Sequence, residues 1–230
     1  MSAALSELRL HAREMGTLVA QQVETAARAL LEADGAAAEL VLRREQQINA
    51  WQTEIEAESF RLLARQAPVA SDLRTVIAIS RAVTDLERAG DEAKKIARFA
   101  LASAGHGVGG PTRVIRRSLR HMASLASESM RVAVEALDRG DAEVAHEVAR
   151  LDREIDQEFE SALRQLMTVA MERAPRLLKP VFDTVFALKS LERIGDHAKN
   201  VAEHVVFLVR GDDVRHAGRS NTVPARESQH

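Results

Sequence analysis

The chain has no cysteine, no tyrosine and a single tryptophan, Trp51, and aromatic residues make up only 3% of its 230 positions. Without cysteine there is neither a disulfide framework nor a thiolate metal site, which fits a reducing compartment. With so few aromatics, an interior that is drawn from 46% hydrophobic residues must be built mainly from Ala, Leu, Val and Ile. Small aliphatic side chains suit closely packed helices. A dominant charge is missing too: Lys plus Arg number 32 against 34 Asp plus Glu, interspersed along the chain. No field therefore favours nucleic acid or an anionic membrane, and a protein partner is expected instead. There is no run of about 18 apolar residues to span a bilayer, and Met1 to Arg9 lack the basic-then-apolar layout of a signal peptide. The expectation is a soluble, cytoplasmic protein with no direct membrane insertion.

What is present is helical periodicity. Leu8, Met15, Leu18, Val19, Ala26 and Leu30 mark a helix from Leu5 to about Glu32, broken at Asp34-Gly35. A second, from about Ala37 to Arg65, carries Val41, Ile48, Trp51, Ile55 and Leu62, and stops before Pro68 because proline disfavours helix for the residue preceding it. A third begins near Ser71, expected as its N-cap, and its seam is Ile79, Ala82, Leu86, Ala89, Ala93, Ile96 and Ala100. Ser103 to Pro111 is rich in glycine and reads as a linker. The plan then repeats. Ile115, Leu119, Met122, Ala126, Ala133 and Leu137 mark a fourth helix; a fifth runs to about Arg173; and Leu188, Leu191, Ile194, Ala198, Val201, Val205 and Leu208 mark a sixth, closed by Gly211. Residues 212–230 are a polar tail. The expected fold is all-α: two tandem antiparallel three-helix bundles, over residues 1–102 and 112–211, related by an internal repeat.

The repeat is legible residue by residue. Leu86-Glu87-Arg88-Ala89-Gly90-Asp91-Glu92-Ala93-Lys94-Lys95-Ile96-Ala97 returns as Leu191-Glu192-Arg193-Ile194-Gly195-Asp196-His197-Ala198-Lys199-Asn200-Val201-Ala202, with eight of twelve places identical. Each copy sets a Glu and an Asp four apart, so both carboxylates project from one helix face. Each also carries a glycine in mid-helix, which costs about 1 kcal/mol relative to alanine and asks for close approach of a neighbour or room for an ion.

Folding the second helix back on the third about position 68 brings Glu45 and Asn49 opposite Asp91 and Glu87; in the second half, Asp152 and Asp156 fall opposite Asp196 and Glu192 about position 174. Several carboxylates in one small volume repel one another, and a multivalent cation relieves that repulsion. Hard oxygen donors suit Mg²⁺, Ca²⁺, Mn²⁺ or iron. Candidate ligands are thus Glu45, Glu87, Asp91, Asp152, Asp156, Glu192 and Asp196, with Asn49 removing one charge from the first set. The competing account is a salt-bridged helix face, in which Arg88, Arg193, Lys94 and Lys199 neutralise the acids. His197 would point about 100° away from the carboxylate face, and it and His204 read as surface residues rather than ligands. Glu143 and His146 have the spacing used in di-iron bundles, but those need two such motifs facing each other.

Pro68-Val69-Ala70-Ser71-Asp72-Leu73-Arg74 leading into Thr84 to Asp91, together with Ser190 to Glu203, closely resembles the PhoU family of phosphate-signalling regulators. The likeness spans both halves, from about Leu5 to Gly211. It implies two three-helix bundles in tandem and multinuclear clusters of a divalent or trivalent metal, such as iron, zinc, manganese or magnesium. The ligand positions carry over to Glu87, Asp91, Asp152, Asp156, Glu192 and Asp196, with Glu45 in the degenerate copy. It further implies a non-enzymatic negative regulator of phosphate uptake and of the phosphate-starvation response, which couples the ATPase subunit of a phosphate ABC transporter to a sensor histidine kinase and forms a homodimer. The alternative from the residues alone is a metal-dependent hydrolase.

Overall fold

A computed structural model describes residues 2–103, 113–172 and 178–211. They form six helices: α1 (Ser2–Glu32), α2 (Gly35–Gln66), α3 (Ala70–Ser103), α4 (Arg116–Arg139), α5 (Ala142–Glu172) and α6 (Leu178–Arg210), with no strand among the described residues. Apart from Ser103, which ends α3, the expected linker lies outside the described residues, as do the Ala174-Pro175 turn and the polar tail.

The turns follow local chemistry. The Asp34 side chain accepts a hydrogen bond from the Ala37 amide at 3.0 Å and starts α2. Gly140 ends α4 with φ of 64°, a left-handed conformation that costs glycine nothing, and Gly211 closes α6 the same way at 81°. Ser71 is not the N-cap it was expected to be. The helix starts one residue earlier, at Ala70, and the Ser71 carbonyl accepts from the Thr75 hydroxyl within the first turn.

The apolar stripes read from periodicity are buried: all seven seam residues of α3 and six of the seven in α6, Leu208 being half-buried. α2 packs on α1 and α3, and α5 packs on α4 and α6, which makes two three-helix bundles. These do not hang from a tether. α1 lies against α4 and α3 against α6, so one continuous core runs through both bundles, with α2 and α5 on its flanks.

Both contacts between the bundles are antiparallel. In the α1–α4 contact, Arg9 and Arg13 reach Asp138, Gly16 meets Val134, and the Ser127 hydroxyl bonds Glu24 at 2.7 Å. In the α3–α6 contact, Arg74 donates to the Leu208 carbonyl, Glu92 pairs with Arg193 at 3.0 Å, and Phe99 stacks on Phe186. At the centre of this seam Asp85 is enclosed by donors from α6. Its Oδ1 accepts from His197 Nδ1 and Asn200 Nδ2, and its Oδ2 accepts from His204 Nε2, each at 3.0 Å.

This corrects the reading of His197 and His204 as surface residues, since both are buried. His197 does point away from the carboxylate face, but the side it turns to is the other bundle. Burial alone would raise the Asp85 carboxyl; the hydrogen bonds from His197, His204 and Asn200 outweigh it and hold the group well below the usual carboxylate range.

Two outcomes test the junction. A Cβ on Gly16 would stand 2.3 Å from Val134 Cγ2 and 3.0 Å from Cγ1, and a β-branched side chain has little room to turn aside. Overpacking costs about 1–3 kcal/mol against a helix-propensity gain of about 1, so Gly16→Ala should lower the urea midpoint while Gly16→Ala/Val134→Ala recovers part of the loss. Asp85→Ala, which strands the two buried imidazoles and the half-buried Asn200 amide, should destabilise by roughly 2–4 kcal/mol at neutral pH. Because the folded-state value is lowered, the stabilisation from Asp85 is complete above the ordinary aspartate value of 3.8 and is lost as the pH falls below it. Denaturation at neutral and acid pH should therefore show the wild type converging on the variant in acid.

Candidate metal centre

The hairpin of α2 and α3 brings the expected acids of the first bundle together. Glu45, Glu87 and Asp91 each offer a carboxylate oxygen, and these oxygens all lie within 4.8 Å of one another. Among the described residues no other three acids or histidines meet so closely. Asn49 is exposed.

Gly90 explains its own place. A Cβ there would meet Ile48 Cδ1 at 3.2 Å and Glu45 Oε2 at 3.4 Å, so the glycine lets α2 close on α3 with the acid between them. Gly195 repeats this against Ile155 and Asp152 in the second bundle, at 2.8 and 3.9 Å.

Glu45 is the buried member of the first group, 2% exposed. Its Oε2 accepts from Gln22 Nε2 at 3.3 Å, and its Oε1 faces Lys94 Nζ at 3.5 Å. Lys94 also pairs with Asp91 Oδ1 at 3.1 Å. Burial is the largest influence on Glu45 and Glu87 and pushes both carboxyls up; the neighbouring Asp91 adds to it. Asp91 itself lies on the solvent side, where burial is outweighed by its bonds with Lys94 and Glu45, and its carboxyl is lowered.

In the second bundle the four acids influence one another, and two of them are held by separate cations. Lys199 Nζ lies 2.6 Å from Asp152 Oδ2, and Lys189 Nζ lies 2.6 Å from Glu192 Oε1. Asp156 and Asp196 are exposed, and burial together with the charge of Asp152 and Glu192 raises both carboxyls. A surface cleft lined by Arg193, Asp196, His197, Lys199, Asn200 and Glu203 opens beside Asp196.

One residue of the first site was not expected from the sequence. Gln22 on α1 is fully buried; its amide nitrogen also reaches the Gly90 carbonyl at 3.4 Å, and its Oε1 has no hydrogen-bond partner. Its counterpart 107 residues on is Ser129, also fully buried with an unpartnered hydroxyl. A polar residue on the buried stripe of α1, repeated at the same place in α4, is the signal that could have found it. The donor set fits a hard cation: three carboxylates converge, two of them destabilised as anions by their surroundings, beside an orphaned amide oxygen.

Groups whose carboxyls are raised by folding contribute stability that is complete below the ordinary values of 3.8 for Asp and 4.5 for Glu, and lose it as the pH rises through the raised values. The melting temperature of metal-stripped protein should accordingly fall as the pH rises through this range. Mn²⁺ at neutral pH should restore it, and should restore less of it in Glu87→Ala/Asp91→Ala.

A model of the PhoU domain matches this chain twice, at residues 12–100 and 119–205. The phosphate-specific transport system accessory protein PhoU homolog of Pseudomonas putida is 46% identical over 217 residues, covering 94% of this chain and 83% of that protein. The crystal structure of PhoU from Pseudomonas aeruginosa superposes with a TM-score of 0.86 at 44% identity, over 92% of this chain and 99% of that one. The phosphate transport system regulatory protein PhoU from Streptococcus pneumoniae gives a TM-score of 0.83 at 28% identity, over 93% and 98%.

Proposed function

This chain belongs to the PhoU family, and on that premise we propose that it is an accessory protein of a phosphate-specific transport system, which restrains phosphate uptake and keeps the phosphate-starvation response off when phosphate is plentiful. The observation that carries the reading is the match of both halves to the PhoU domain, joined to relatives whose names place them in phosphate transport. In this reading the chain works as a cytoplasmic adaptor and not as an enzyme. It docks on the ATPase subunit of the transporter and on a sensor histidine kinase, and it acts as a homodimer.

The surface supports docking. No helix among the described residues is long and apolar enough to cross a membrane, yet large apolar side chains stand in solvent: Phe60 on α2, Met167 and Met171 on α5, and Phe182 on α6. Phe60 and Met167 are 107 apart and so occupy the same place in the two copies. Exposed apolar side chains on long helices offer faces to partner proteins. Within this reading Glu45, Glu87 and Asp91, with Asp152, Asp156, Glu192 and Asp196 in the second bundle, hold the metal. Bound there, it would neutralise the acids and shape the adjoining surface.

Deleting the chain from its host should raise phosphate uptake and switch on a starvation-response reporter in phosphate-rich medium. The wild-type chain should reverse both effects, and Phe60→Asp/Phe182→Asp should fail to do so while remaining folded. Uptake and reporter output that do not change on deletion would remove the proposal.

A further inference from the structure

The two copies of the signature place a lysine in the same position, Lys94 and Lys199, which are 105 apart as are the rest of their helices. Each reaches across to the neighbouring helix of its own bundle and takes hold of the same acid. Lys94 Nζ lies 3.5 Å from Glu45 Oε1, and Lys199 Nζ lies 2.6 Å from Asp152 Oδ2. Glu45 and Asp152 are counterparts 107 apart, and they are the buried acids of their clusters, at 2% and 4% exposure. A recurrence of this kind, on one acid out of several, is not what an indifferent charged surface would produce.

At the first cluster the consequence follows from where the ammonium stands. Gln22 donates to Glu45 Oε2, and Lys94 Nζ sits between Glu45 Oε1 and Asp91 Oδ1. A metal ion ligated there by Glu45 and Asp91 would lie beside the ammonium on the same two carboxylates, and two cations so close repel each other strongly. The side chain of Lys94 is 24% exposed on a flexible four-carbon stem, so the ammonium has a way out to water. The buried, unpartnered Gln22 Oε1, on a side chain whose amide already touches Glu45, is an independent sign that the cluster is built for more than its internal lysine.

We propose that Lys94 is an exchangeable internal cation: it holds Glu45 and Asp91 together when the first cluster is empty of metal and swings to the surface when a metal ion takes its place. Its competition then sets the affinity of the site. Metal occupancy becomes a change of surface charge on α3, a form in which a docked partner can sense it. The inference rests on the first cluster being a metal site.

The test is Mn²⁺ titration followed by the electron paramagnetic resonance signal of free Mn²⁺, in a Glu192→Ala/Asp196→Ala background that disables the second cluster. In that background Lys94→Met should bind Mn²⁺ about tenfold more tightly, a difference of about 1.4 kcal/mol, whereas Lys94→Arg should stay close to the parent. Without metal, Lys94→Met should melt below the parent, and saturating Mn²⁺ should close the difference. Equal or weaker affinity in a folded Lys94→Met protein would overturn the exchange while leaving the metal site standing. Failure of the parent to bind, or binding that survives Glu87→Ala/Asp91→Ala, would overturn the metal site and the exchange with it.

Discussion

An ionised carboxylate buried between helices must have a cation or a set of donors, and this requirement governs both places where the fold departs from a plain aliphatic bundle. Glu45 and Asp152 sit inside the α2–α3 and α5–α6 contacts, Asp85 inside the contact between the bundles. The first two are met by lysines that retain a path to solvent. Asp85 is met by two imidazoles and an amide from the facing helix. Glu92, buried in the same seam, is likewise paired with long-chain cations, Lys95 and Arg193, so Asp85 is set apart by having short, fixed donors. The glycines follow from the same demand, because only a helix stripped of Cβ at Gly90 and Gly195 lets Ile48 and Ile155 seat deeply enough to carry Glu45 and Asp152 into the contact.

Much of this was legible in the sequence because it rests on period and distance from a turn. The seam of α3 could be named from Ile79 to Ala100 since burial on a helix obeys a fixed angular step. The meeting of Glu45 with Asp91 could be named because a tight turn makes positions equidistant from it neighbours. Two things escaped. Which cluster is compact could not be told from counting acids: the first bundle has one fewer acid, yet its three converge, while Lys189 and Lys199 tie Glu192 and Asp152 separately in the second. The role of His197 and His204 escaped because both point out of their own bundle. Only the packing of α3 against α6 reveals that this direction is buried, and periodicity within one helix carries no information about a second partner.

The same packing explains why the duplicated halves are no longer identical. The α3–α6 seam is antiparallel, and its contacts fall about Gly90 and Gly195, which are themselves counterparts, so the repeat relates one helix of the seam to the other. Asp85 in α3 corresponds to Ser190 in α6, Glu92 to His197, Lys95 to Asn200 and Phe99 to His204. Every residue that completes the Asp85 network has thus diverged from its copy, whereas Leu86 and Leu191, Glu87 and Glu192, Gly90 and Gly195, Asp91 and Asp196, and Lys94 and Lys199 have not.

That divergence determines what the seam can pair with. If α3 met a second α3 in the same register, Asp85 would face Glu92, Lys95 and Phe99, exchanging two imidazoles and an amide for one ammonium beside a second carboxylate. If α6 met a second α6, His197 and His204 would face Ser190, with no carboxylate to accept from them, and Arg193 would lie near His197 in place of Glu92. A buried polar group that loses its partner costs about 1–3 kcal/mol, and like charges brought together add to it, so either like-with-like pairing is disfavoured relative to α3 on α6. The polar seam therefore directs the two halves of one chain onto each other, and it leaves the faces carrying Phe60, Met167 and Phe182 free for contacts with other molecules.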